Sequence, residues 1–120
     1  MPHRLHEVAG ILKDADLSGS PHLDEHQARS VVNRAYYAAY VTARDFCTSK
    51  GFPMSAGGSH EKIVNVLLEQ PKWSRVGNQL KQIKALRHQA DYQWDRAITW
   101  RDANSTLKKS RQIIEAIQGA

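Results

Sequence analysis

Apolar residues recur along this chain at steps of three and four, the spacing of helices that bury one face. From Arg4 to Asp16, Leu5, Val8, Ala9 and Leu12 fall on one side of a first helix. The segment Leu17-Ser18-Gly19-Ser20-Pro21 stops it, and Ser20 as cap with Pro21 as first helical residue starts the next. That second helix meets no glycine or proline between about Pro21 and Ser49, so at 1.5 Å per residue it spans roughly 40 Å. Val32, Tyr36, Ala39, Ala43 and Cys47 form one stripe on it, and Val31, Ala35, Ala38 and Thr42 a second beside it. Two buried faces make it the spine of the fold, with alanines that let neighbouring backbones approach closely.

Gly51, Pro53, Gly57 and Gly58 in KGFPMSAGGSH predict a loop of about ten residues. Ser59 is the expected N-cap of a short third helix, with Glu61 in its positive first turn and Ile63, Val64, Leu67 and Leu68 as its apolar side before Pro71. A fourth helix is expected from about Lys72 to Asp91, carrying Val76, Leu80, Ile83, Leu86 and Ala90 at core spacing and Lys81, Lys84 and His88 on another face. Arg87 breaks that division, because it stands near the apolar seam and needs a partner there. After a linker from Gln93 to Ile98, Thr99 and Asp102 read as a capping pair opening a fifth helix through about Gln118, with Trp100, Ala103, Leu107, Ile114 and Ile117 as its buried stripe. No strand alternation, repeat or low-complexity tract competes with this pattern. The expected fold is all-α: an up-and-down antiparallel bundle of four long helices and one short one, in a single domain over residues 1–120.

Composition narrows the setting. A chain of 120 residues can bury a core without staples. The one cysteine, Cys47, sits in the apolar pattern, has no partner for an internal disulfide, and suits a reducing cytoplasm. No apolar run approaches the roughly 18 residues of a membrane span, and the opening MPHRLHEVAG lacks the hydrophobic core of a signal peptide, so a cytoplasmic protein without a membrane partner is expected. Lys and Arg total 17 against 12 Asp and Glu, a net charge of +5 that favours polyanionic partners such as RNA or nucleotides.

Several side chains could carry chemistry. Arg87 and Asp91, four apart on one helical face, form either a helix-end ion pair or part of a phosphate site. His88 reaches Asp91 or Tyr92 by the same spacing. Tyr36 and Tyr40 read as core or interface aromatics with hydroxyls hydrogen-bonded at the edge. Arg34 and Tyr37 join Arg87 in an anion-binding cleft if the second and fourth helices pack side by side. His22 and His26 have metal-compatible spacing but no evident third ligand, so neither a metal nor another cofactor is expected. Trp73, Trp94 and Trp100 flank the last two helices, where they serve either to anchor a subunit interface or to stack on bases.

The combination of RAYYAAY, residues 34–40, with LRHQADY, residues 86–92, resembles the HEPN domain family, and in particular its small stand-alone prokaryotic members. The pieces fall in that family's order: an amphipathic first helix, Arg34-Ala35-Tyr36-Tyr37-Ala38, a glycine-rich loop followed by Ser59-His60, then Arg87, Asp91 and Tyr92. The resemblance implies a helical bundle that forms a homodimer, binds nucleotide or RNA at a cleft between subunits, and pairs with a small nucleotidyltransferase or another partner in toxin–antitoxin or defence systems. It makes Arg34, Tyr37, His60, Arg87 and Asp91 the expected binding set. It also implies that Tyr92 is a candidate AMP acceptor where a nucleotidyltransferase is the partner. Ribonuclease members of the family carry an arginine, four to six residues, then a histidine, and cut RNA without a metal. No such pair occurs here, and the position five beyond Arg87 is Tyr92, whose ordinary pKa of about 10 makes it a poor general base. Catalysis would have to run through Arg87 with His88 or Tyr92. Three readings stay open: a nucleotide- or RNA-binding protein, a non-catalytic helical interaction module, and a ribonuclease with a non-standard Arg/His/Tyr site.

Overall fold

The computed structural model describes residues 6–11, 24–53, 58–93, 95 and 97–120, and among these every regular element is a helix. In chain order they are α1 (6–11), α2 (Asp24–Lys50), α3 (Ser59–Glu69), α4 (Ser74–Tyr92) and α5 (Trp100–Gln118). The expected cap at Ser20 and Pro21, the apolar positions Leu5 and Leu12, and His22, Gly57 and Trp94 lie outside the described residues.

The ends of the helices follow from local chemistry. Gly51, at φ 66°, closes α2: its N–H donates to the Thr48 carbonyl and that of Phe52 to the Cys47 carbonyl, a Schellman pairing only cheap for a residue without Cβ. Phe52 then folds back edge-on against Phe46. At α5 the Thr99 hydroxyl accepts from the Asp102 N–H while the Asp102 carboxylate accepts from the Thr99 N–H, the predicted capping box. The start of α3 differs from expectation. Gly58 occupies the cap and no side chain caps the helix, so Ser59 is already inside the first turn.

Both predicted stripes of α2 are buried except at the half-buried Thr42, and the helix packs against α5, α4 and α3. The larger core gathers Tyr36, Tyr40, Phe46, Leu67, Leu80 and Ile113 among others, and Trp73 is taken up in it, edge-on to Phe46. A second cluster joins Ala28, Val31, Val32, Ala90, Ile98 and Ala103, with Trp100 packed at its margin. On α5 the buried stripe includes two polar residues that helical spacing alone left out, Thr106 and Ser110. Each is satisfied by a carbonyl: Thr106 donates to Asp102 O, and Ser110 to Ala35 O across the interface with α2. On α1, Ala9 is buried, whereas Val8 is exposed despite its place in the apolar pattern.

Two contacts fix where the functional elements stand. Gly77 lets α4 pass so close to α3 that an added Cβ would lie 2.9 Å from the Leu68 backbone nitrogen. Arg29 is only 4 % exposed, and its guanidinium donates to the carbonyls of Gln89 and Ala90 near the end of α4 while pairing with Glu25 at 2.7 Å. A cation at the negative end of a helix is favourably placed, so this residue locks α2 to the last turns of α4. Glu25 also accepts from the Ile98 N–H, which ties the α4–α5 connection into the same knot.

Candidate functional site

With α4 locked in that register, three elements converge on Tyr36. The tyrosine comes from the middle of α2 and is fully buried. From the first turn of α3, His60 places Nδ1 2.6 Å from the Tyr36 hydroxyl and lays its ring on Tyr40, with centroids 4.0 Å apart and planes nearly parallel. From α4, the Arg87 guanidinium lies 5.8 Å from the centre of the Tyr36 ring and 5.5 Å from that of Tyr92. Tyr37 touches the group edge-on through Tyr40 and His60.

Burial and charge set the protonation of this cluster. Desolvation pushes the Tyr36 phenol well above its ordinary range, with nearby Arg87 opposing the shift, so the hydroxyl stays protonated. Desolvation, then the charges of Arg87 and Lys84, holds the His60 imidazole below its usual value of 6.5. A neutral imidazole hydrogen-bonded to a neutral phenol keeps one ring nitrogen for other partners.

Arg87 is held on its other side by Asp91, the ion pair that the four-residue spacing suggested, with Nε 2.9 Å from Oδ2. Asn33 on α2 donates to both oxygens of that carboxylate. The buried Arg87 Nε keeps this ion-pair contact although its N–H is not aligned for a hydrogen bond to the oxygen.

Arg87 also lines a groove of about 630 Å³ between α3 and α4. Val64 and Leu68 supply apolar wall from α3, Lys81, Lys84 and His88 join Arg87 from α4, and Asn65, Gln89 and Gln93 add neutral polar groups; among the described residues Glu61 is its one carboxylate. Arg34 is not part of this groove. It is exposed and lines a separate hollow of about 190 Å³ with Asn33 and Asp91. The expected set is thus divided: His60, Tyr37 and Arg87 meet around Tyr36, while Arg34 lines the separate hollow that Asp91 borders.

His88 and Tyr92 are both exposed and hold their rings against each other, 5.1 Å between centroids. Each histidine thus shares a tyrosine with Arg87: His60 from α3 meets it at the buried Tyr36, and His88 at the exposed Tyr92. Asn33 and Arg29, which orient Asp91 and the end of α4, were absent from the expected set; Glu25 four residues before Arg29, and the buried positions Ala28 and Val32 around it, are the signal that marks Arg29. Among the described residues no group of three or more His, Cys, Asp or Glu could hold a metal ion, and no helix is long and apolar enough to cross a membrane.

The chain matches no family model, no curated protein and no solved structure. The functional reading rests on the geometry.

Proposed function

We propose that this chain is an HEPN-like antiparallel bundle, folded as one domain, that binds RNA or a nucleotide through its phosphates in the α3–α4 groove, with Arg87 as anchor. The observation that carries the reading is the place of Arg87: a guanidinium paired with Asp91 and lying near two tyrosine rings, on the wall of a groove that also holds Lys81 and Lys84. Three cations on one face of α4 against one carboxylate on α3 attract a phosphate backbone, and arginine suits phosphate by its planar fork of donors. The motif resemblance adds the setting. Two copies pair into a homodimer with the groove at the subunit cleft, and the dimer works in the cytoplasm with a cognate partner such as a nucleotidyltransferase, in a toxin–antitoxin or defence system.

Fluorescence anisotropy with a labelled single-stranded RNA tests this. Arg87→Ala should weaken binding about tenfold, or about 1.4 kcal/mol, and lower the slope of log affinity against log salt by about one. Lys108→Ala, on the far face of α5, should do neither. Equal affinity for wild type and Arg87→Ala would overturn the proposal and favour the helical interaction module.

One contact favours a second reading, ribonuclease activity. Arg87, His60 and Tyr36 form an Arg/His/Tyr set in which a neutral imidazole stands beside a phosphate-binding cation. In this reading His60 takes the proton of a ribose 2′-hydroxyl as its oxygen attacks phosphorus, and the bond to the 5′ oxygen breaks as water gives that leaving oxygen a proton. Cleavage of RNA in the presence of a chelator, lost in His60→Ala and kept in His88→Ala, is the expected result; intact RNA in all three proteins would remove this reading and leave binding alone.

A further inference from the structure

We infer that Tyr92 forms a nucleobase-stacking subsite next to the Arg87 phosphate site, so that the strand in the groove is single-stranded where it passes the end of α4. This deepens the phosphate-binding reading and rests on it. Tyr92 is the last residue of α4 and 62 % exposed, the most open tyrosine among the described residues. An aromatic ring so exposed does nothing for the core, yet it is not loose: Arg87 lies 5.5 Å from its centre on one side and the His88 ring 5.1 Å on another. A guanidinium beside an open aromatic ring matches a nucleotide, whose charged phosphate and flat base are joined by one sugar.

The rest of α4 supplies direction. Lys81, Lys84 and Arg87 succeed one another along the groove, and at 1.5 Å per residue Lys81 and Arg87 stand about 9 Å apart on the axis. A strand laid along this run can therefore meet it with more than one phosphate. The run ends at Tyr92. Gln89 and Gln93, which line the same end, bring amide donors and acceptors of the kind that read the edges of an unstacked base. A base held against Tyr92 has left its own stack, which a duplex resists and a single strand permits.

Three labelled probes of equal length decide the matter: single-stranded RNA, the matching duplex, and an abasic oligonucleotide that keeps the phosphates. Wild type should prefer the single strand to both of the others. Tyr92→Ala should weaken binding of the single strand by about fivefold or more, leave the abasic probe unchanged, and melt at the wild-type temperature; Tyr92→Phe, which keeps the ring, should bind as wild type does. Equal effects of Tyr92→Ala on the single-stranded and abasic probes, or none on either, would overturn the stacking subsite while an intact Arg87→Ala effect leaves the phosphate site standing. Loss of the Arg87→Ala effect on every probe would overturn both.

Discussion

Gly77→Ala is a small change for which two opposing effects can be weighed. In an open helical position alanine stabilises relative to glycine by about 1 kcal/mol. At Gly77 the new Cβ would lie 2.9 Å from the backbone nitrogen of Leu68 and 3.1 Å from both Leu67 Cβ and Leu68 Cδ2. A flexible side-chain tip could move aside, but the nearest atom belongs to the α3 backbone, so the helix itself must shift. Overpacking of this kind costs about 1–3 kcal/mol. The net expectation is a loss of about 1 kcal/mol, which for a chain of this length lowers Tm by about 4 °C. Because Leu68 and Val64 wall the groove, the shift should also weaken RNA binding without touching a charged group. Gly10 on α1 is the matched control: nothing lies within 4 Å of its added Cβ, so Gly10→Ala should leave Tm unchanged or raise it. Scanning calorimetry of both variants is the assay. A rise in Tm for Gly77→Ala equal to that of Gly10→Ala would refute the close passage of α3 over α4 and the groove geometry built on it.

Arg29→Ala removes the charged donors to the Gln89 and Ala90 carbonyls, each bond worth about 1.5–3 kcal/mol, and should lower Tm on the order of 10 °C; Arg29→Lys should not restore it, since an ammonium cannot fork between carbonyl and carboxylate. An unchanged Tm in Arg29→Ala would show that α4 does not depend on this lock. Thr99→Ala deletes the capping box of α5 and should cost about 1 kcal/mol by urea denaturation, with Thr99→Ser recovering most of it; equal midpoints for all three would contradict the cap. Stability should fall at both pH extremes. His6 and His60 are held below 6.5 in the folded chain, so the unfolded chain binds protons first and stability present above that pH is lost as the pH drops through it. Cys47 is pushed up to about 11 by burial, so stability is lost as the pH rises above its ordinary value of 9, where only the unfolded thiol ionises. A Tm that rises on acidification from pH 7 to 5 would contradict the histidine assignment.

The long helices were legible because their rules are local. A run without glycine or proline defined α2, Gly51 stopped it, and Thr99 with Asp102 announced α5 before any tertiary contact was known. Ion pairing of Arg87 with Asp91 was readable for the same reason, as a four-residue spacing. The Tyr36–His60 bond was not, because the residues are 24 apart and the loop after Gly51 decides where His60 arrives. Spacing made Tyr36 a core or interface aromatic, and it is fully buried, but the half-buried place of His60 against it depends on the tertiary fold. Separation of Arg34 from Arg87 was equally hidden, since it depends on how α2 and α4 pack, which puts the two arginines in different cavities. Ser110 escaped notice because its acceptor, Ala35 O, lies on another helix 75 residues away.

The central claim concerns one side chain, Arg87 on the wall of the α3–α4 groove. Its guanidinium Nε–H resonance can be followed by ¹⁵N-edited NMR while single-stranded RNA is added to the wild-type protein. The account predicts a saturable shift of the Arg87 Nε–H signal, with His60 side-chain signals moving alongside it and the Arg101 signal on α5 unmoved. RNA binding that saturates while Arg87 stays still and Arg101 shifts would place the ligand on α5 and contradict the account.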